Sequence, residues 1–342
     1  MASHKAAITI KDIAKLAEVS TSAVSMVING REGLSDATRE KILRTIKETN
    51  YYPNASSQRL VHRRSFNVAY IYPLEMSPFS DFFYSEVAEE IVKELTKHHL
   101  NVVFAPLLIN DGVCDVPEII SKQDADAAIL LHDAPDGVFE RLDDLGIPCM
   151  LLDWQRETNG RANIDFDNVQ STYMAVKYLI KNGHTRIALL GSDHLPHFYL
   201  RCLVGYQKAL DEENLPINAG WMQTSVNDVP SAITCLKQLI EMQPPPTAIC
   251  CINDMFAVYA LNAAATLKIP VPEKLSFIGK DNISISSYTY PGLTTVSYNK
   301  RKVGKQAAHM LLRMLAGETV NDLPACGDSV VERESVARIS TE

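Results

Sequence analysis

The chain has 342 residues, 46% hydrophobic and 22% charged, with a formal net charge of −8. That length provides for two or three domains with an ample buried core. No apolar run is long enough for a membrane span and the N-terminus "MASHKAAITIKD" has no signal-peptide core, so the expectation is a cytoplasmic protein without membrane contact.

The acidic average conceals a split. Residues 1–64 hold 11 Lys and Arg against 6 Asp and Glu, whereas the remainder holds 22 against 35. A small basic head on an acidic body points to a head that alone touches a polyanion. The seven cysteines form no CxxC pair and lie mostly in apolar runs, so they read as reduced core residues.

In chain order, the head reads as short helices. Thr9 is placed to cap a first helix, with Asp12 as its reciprocal partner and Ile13, Leu16 and Ala17 on one face. After a turn ending at Val19, Ser20 caps a second helix that stops at Gly30; this stretch, "VSTSAVSMVING", has no charged residue. Ser35 caps a third, "DATREKILRTIKETN", with Ile42, Leu43 and Ile46 inward. Two helices joined by a short turn, with a third packed on them, make a helix-turn-helix unit. In "YYPNASSQRLVHRR", Pro53 breaks the third helix and Asn54 caps a short segment ending near His62. About eight residues of isolated helix are marginal in water, so this segment reads as a linker that orders on contact.

From Phe66 onward, apolar strands such as "NVAYIY", "NVVFAP", "AAILLH", "PCMLLD", "RIALLG", "TAICCIN" and "LSFIGK" alternate with helices. These helices are expected over 82–98, 169–181, 200–213, 230–242 and 254–266. The alternation predicts an α/β fold of doubly wound parallel sheets, and about a dozen strands predict two lobes with a cleft between them. Asp153, Asn253 and Asp281 each follow an apolar strand, where open α/β sheets bind ligands. Carboxylates and amides there suit hydroxyl-rich ligands, although the same residue types also favour helix starts. In "NGHTRIA", Gly183 ends a helix and His184 occupies the turn before a strand, which is a structural role.

No GxSxG, phosphate-binding glycine loop, HExxH or Cys/His metal spacing occurs. His194 and His197 lack a third ligand nearby and read as surface residues. An enzyme is therefore not expected, and neither is a cofactor or a metal.

The stretches "ITIKDIAKLAEVSTSAVSMVING", "TREKILRTIKETNYYPN" and "SQRL" resemble the head of the lactose-repressor (LacI/GalR) family. So, in the body, do "NIDFDNVQSTYMAVKYLIKNGHTRIALLG", "INDMFAVYAL", "VPEKLSFIGKDN", "PGLTTVSYNK" and "VERESVARI". The resemblance spans nearly the whole chain, in order. It implies a homodimeric transcriptional regulator, expected to be a repressor, on palindromic double-stranded operator DNA. Its body would be a two-lobed, periplasmic-binding-protein-like sensor of a small-molecule effector. A sugar or sugar derivative is the commonest effector in the family; a purine corepressor is the alternative, and a solute-binding protein the alternative outside it. The implied domains are a head over 1–52, a hinge helix and linker over 53–64, and a body over 65–342. Within the body, the N-lobe takes about 65–166 and 297–326, and the C-lobe about 167–296 and 327–342.

Carried over residue by residue, Thr21, Ser22 and Met26 face the groove, and Ser20, Ser25 and Asn29 contact the DNA backbone. Thr9 and Asn54, at helix starts, complete that set, and Leu60 matches a leucine that wedges into the minor groove. Ser20 and Asn29 serve equally as helix cap and stop, and Leu60 has the alternative of packing on the body. For the effector, the matches are Asp153, Asn253 and Asp281, with Phe83 and Tyr84 in the N-lobe, where aromatic core is the alternative.

Four departures stand out. The family's usual arginine position holds Cys202, with Arg201 one residue away; a local shift would restore the contact, so Arg201 is the sixth effector residue that the resemblance implies. Lys280 stands in place of an aromatic, Tyr259 in place of a small residue, and Met26 in place of a common arginine.

Overall fold

The computed structural model describes residues 8–28, 30–51, 64–110, 113–132, 134–154, 156–194, 196–224, 226, 228–325, 327 and 329–339. The chain divides after Phe66 into two compact units.

The head contains α1 (Ile10–Leu16), α2 (Thr21–Ile28) and α3 (Asp36–Thr49). At the start of α1 the Asp12 carboxylate accepts from the Thr9 N–H at 2.9 Å and from its hydroxyl at 2.7 Å. Ser20 Oγ accepts the Ala23 N–H at 3.1 Å, and Ser35 Oγ accepts the Thr38 N–H at 3.3 Å, so each helix start has a donor satisfied by its cap. Ile13, Ala17, Val24 and Ile42 have no exposed surface and knit the three helices together. Leu16 and Leu43, expected inward, are 60% and 51% exposed. They sit at the margins of apolar stripes centred on Ile13–Ala17 and Ile42–Ile46, and so small a core covers only the centre of each stripe.

The body holds two six-stranded sheets. The first contains β1 (Asn67–Pro73), β2 (Asn101–Leu107), β5 (Ala127–Leu131), β6 (Cys149–Leu152), β7 (Asn163–Phe166) and β13 (Leu323–Ala325), in the spatial order β13-β7-β6-β5-β1-β2. The second contains β8 (Ile187–Leu190), β9 (Met222–Gln223), β10 (Ala248–Cys251), β11 (Ser276–Asp281), β12 (Thr294–Ser297) and β14 (Ser329–Val331), in the order β14-β12-β11-β10-β8-β9. All neighbours pair parallel except β14, which runs antiparallel to β12. A short hairpin, β3 (Ile109–Asn110) with β4 (Val113–Cys114), stands apart. The central strands β1, β5, β6, β8 and β10 are buried along their whole length, because helices cover both faces.

The helices between are α4 (Phe82–Lys97), α5 (Glu118–Ser121), α6 (Asp136–Asp144), α7 (Asn168–Lys181), α8 (Pro196–Glu212), α9 (Val229–Glu241), α10 (Asp254–Thr266) and α11 (Lys300–Leu315). The chain passes between sheets after β7, after β12 and after β13. α8 starts at Pro196, four residues before the expected 200, because proline is well suited to the first helical turn. Strands β7, β9 and β12–β14, of two to four residues each, complete the two sheets.

Gly205 marks the tightest helix contact. A Cβ there would overlap the Val169 carbonyl oxygen and lie 3.0 Å from Tyr173 N. Gly205→Ala is therefore expected to destabilise the protein by about 1–3 kcal/mol in urea unfolding, although alanine is the better helix former. Unchanged or higher stability would show that α7 and α8 separate freely.

Candidate functional site

A cleft opens between the two sheets of the body. Its walls are built by the carboxyl ends of strands and by the helix starts that follow them. Asp153 comes directly after β6 with φ +54°, and Asp281 ends β11 with φ +113°. Left-handed backbone at non-glycine residues is costly and concentrates at functional sites. Asn253 caps α10, its Oδ1 accepting the Phe256 N–H at 3.0 Å, and Asp81 caps α4 by accepting from Phe83 and Tyr84 N–H at 2.8 and 2.9 Å. Both residues line the cleft. Capping and cleft lining thus coexist in the same side chains.

From the first lobe, Phe83, Tyr84, His132, Asp153 and Phe166 face this space; Asn168, Phe198, Asn253 and Asp281 face it from the second, with Tyr298 at the crossing. Phe83, Phe166 and Tyr298 pack edge-to-face, with ring centroids 4.9–5.9 Å apart, which makes one wall aromatic. The Tyr84 hydroxyl donates to Asp153, and His132 Nδ1 stands 3.9 Å from the same carboxylate. Burial pushes the Asp281 carboxyl well above its ordinary range, and it raises Asp81 too, where nearby Asp153 adds to the shift. The Tyr84 phenol is raised well above its usual value, first by burial and then by Asp153.

Five of the six effector residues expected from the sequence, Phe83, Tyr84, Asp153, Asn253 and Asp281, come together here. Arg201 does not line the cleft. It forms a bidentate pair with Asp165 on β7, both N···O distances 2.7 Å, joining α8 of the second lobe to the sheet of the first. Asp165 is nonetheless raised, because its burial outweighs the pull of Arg201. The pair is about one-third exposed, 30% and 37%, so solvent screens it. Arg201→Met is expected to cost about 1 kcal/mol in urea unfolding, with Asp165→Asn adding little in the same background. Strictly additive losses would count against the pair.

Lys280 explains a second departure. It is 1% exposed, its Nζ donating to Asn168 Oδ1 at 2.7 Å and lying 3.3 Å from Cys202 Sγ and 4.5 Å from the Phe198 ring centroid. An amine therefore fills the space beside Cys202. Tyr259, the remaining departure in the body, is half-buried beside Phe256 and does not line the cleft.

Met76, Asp81, His132, Phe166, Asn168, Phe198 and Tyr298 were missed by sequence reasoning. Asp81 and Asn168 carried a signal, since each opens a helix directly before or within an apolar periodic run. His184, by contrast, is structural: its ring nitrogens stand 3.0 Å from Thr247 Oγ1 and 3.1 Å from the Ala337 carbonyl. His194 and His197 are exposed, and no group of three or more metal-ligating side chains occurs among the described residues.

In the head, Thr21 and Ser22 are exposed on the first turn of α2, and Ser25 and Met26 are half-buried. Ser20 caps that helix. The Met26 methyl lies close over Gly33, 3.0 Å from where a Cβ would stand. Asn29, Asn54 and Leu60 lie outside the described residues. Among those described, no helix is long and apolar enough to cross a membrane.

Residues 9–54 match the profile of bacterial regulatory proteins of the lacI family, and residues 176–336 match the periplasmic binding protein-like domain. The HTH-type transcriptional repressor PurR of Vibrio parahaemolyticus is 31% identical over 323 residues, which cover 90% of this chain and 92% of the relative. PurR of Vibrio cholerae is 30% identical over 341 residues, covering 96% and 98%. A crystal structure of the Lac repressor dimer bound to operator and the anti-inducer ONPF superposes with a TM-score of 0.81 at 23% identity, covering 97% of this chain and 99% of that one, which shows the shared fold. With a capped helix-turn-helix head and a two-lobed body with a cleft between its sheets, this chain belongs to the lacI family of bacterial regulatory proteins and is a DNA-binding transcriptional regulator, not an enzyme.

Proposed function

We propose that the protein is a cytoplasmic, homodimeric repressor whose grip on a palindromic operator is set by a small polar effector in the cleft. The observation that carries this reading is the convergence of Asp153, Asn253 and Asp281 on one space between two lobes. Three side chains rich in acceptors, beside an aromatic wall, suit a hydroxylated ring, so a sugar or sugar derivative is the favoured effector. A purine corepressor is the second reading, favoured by the relatives that are PurR repressors.

The proposed layout keeps a head over 1–52, a hinge and linker over 53–64, and a body of two lobes, about 65–166 with 297–326 and about 167–296 with 327–342. In the head, Thr9, Ser20, Ser25, Asn29 and Asn54 would hold the DNA backbone. Thr21, Ser22 and Met26 would face base edges, and Leu60 would wedge into the minor groove. A ligand that binds only the folded state raises its melting temperature, so a thermal-shift screen of sugars and purines on the full chain tests the effector site. Stabilisation by none of them would sink this reading.

Dimerisation has its own test. Two tethered heads gain effective concentration on a palindrome, so light scattering at micromolar concentration is expected to give twice the chain mass. The mass of a single chain, free and on DNA, would refute it.

A further inference from the structure

The cleft carries three carboxylates, Asp81, Asp153 and Asp281, and among the described residues no lysine or arginine lines it. The cations on the surrounding elements are committed elsewhere. Arg201 is held by Asp165 in its bidentate pair. Lys300 Nζ donates to the Asp281 and Asn282 carbonyl oxygens at 2.8 and 2.7 Å and stands 3.5 Å from Glu86.

Lys280 is turned behind Asn168. An ammonium group has donors only, so the Asn168 atom 2.7 Å from Lys280 Nζ is its carbonyl oxygen, and the amide nitrogen points the other way. That Nδ2, on a residue only 2% exposed that lines the cleft, has no hydrogen-bond partner. A buried donor left unpaired is costly, which calls for an acceptor atom on a bound molecule. Lys280 thereby sets which way the amide faces; its ammonium group lowers the Asp281 carboxyl from behind but does not itself line the cleft.

We infer that the cleft takes an effector that carries no negative charge, a donor-rich polyol or amine with one acceptor atom for Asn168, and rejects sugar phosphates, sugar acids and nucleotides. The inference rests on the cleft being the effector site. A ligand anion would enter a low-dielectric space already occupied by carboxylates, where like charges repel strongly. His132, 3.9 Å from Asp153, is the sole basic side chain among the described lining residues, and the carboxylates outnumber it even when it is protonated. Burial raises both Asp81 and Asp281; Asp153 adds to the first, while at Asp281 Lys280 and Lys300 pull against the rise and Asp254 and Asp81 add to it.

The local charge is readable without knowing the effector. Met76, half-buried in the cleft lining, is replaced in the full chain by Met76→Cys, and the new thiol is reacted separately with a trimethylammonioethyl and a sulfonatoethyl methanethiosulfonate. Each rate is normalised to that of free 2-mercaptoethanol. The unsubstituted protein provides the background, its described cysteines being buried. The cationic reagent is expected to be favoured by about tenfold or more, falling towards parity when Asp153→Asn and Asp281→Asn are added. Parity, or preference for the anionic reagent, in the parent variant overturns the inference. Phe198→Cys provides a second position if Met76→Cys does not fold. In the companion thermal-shift comparison, stabilisation by glucose 6-phosphate or gluconate where glucose and glucosamine have no effect would refute the charge selectivity while preserving the effector site. Stabilisation by no probe at all, with the cationic thiol preference intact, would instead count against the effector reading.

Discussion

Asp281→Ala is expected to weaken effector binding by roughly tenfold to a hundredfold, so that the effector no longer shifts the melting temperature at concentrations that saturate the parent protein. A hydrogen bond to a charged group contributes about 1.5–3 kcal/mol, and about 1.4 kcal/mol corresponds to tenfold in affinity. The fold is expected to survive, because Lys300 holds the Asp281 carbonyl rather than its carboxylate. Asp281 keeps its backbone at φ +113°, and burial raises its carboxyl although Lys280 and Lys300 pull it down; such costs concentrate at functional sites. The measurement is calorimetric titration of the screened effector, with unfolding midpoints compared in its absence. An unchanged dissociation constant would remove Asp281 from the site. Asp281→Asn, which keeps an acceptor, is expected to fall between the two.

Met26→Arg is expected to create a guanine preference of about 1–3 kcal/mol at one base pair of each operator half-site. A helix N-terminus presents free backbone N–H groups and a partial positive charge, so α2 needs no lysine to meet phosphates. The exposed Thr21 and Ser22 have short side chains that allow close approach to base edges. Methionine donates no hydrogen bond and makes only apolar contact, for instance with a thymine methyl, whereas arginine bonds guanine in bidentate fashion. In the free head the Met26 methyl is parked over Gly33, a glycine with φ +116°, and the longer arginine would have to leave that position to reach a base. Selection from randomised half-sites with both proteins at matched salt gives the answer. Equal stringency for the same base in both would mean that position 26 does not face the groove.

Much of this was determined by local sequence. Thr9 with Asp12, Ser20 and Ser35 open helices where their short polar side chains reach backbone N–H groups within one turn. The long apolar strands from "NVAYIY" to "LSFIGK" and the helices between them follow from periodicity, their number pointed to two lobes, and the family resemblance supplied the expected bounds of each. Residues such as Asp153 and Asp281 were legible because a strand end is a local feature.

Tertiary structure alone decided the partners of the unusual residues. Nothing near Arg201 in the chain points to Asp165, 36 residues earlier and in the other lobe. Lys280 and Asn168 are 112 residues apart, and their contact fixes which atom of the amide is left without a hydrogen-bond partner. Leu16 and Leu43, apolar and periodic, lie in the open because so small a core has no further layer to cover them. Periodicity and capping act over one or two turns of chain, whereas a cleft is assembled by strand order and by three passages between lobes. Which charges face it, and which are neutralised before reaching it, therefore depends on distances that no local pattern encodes.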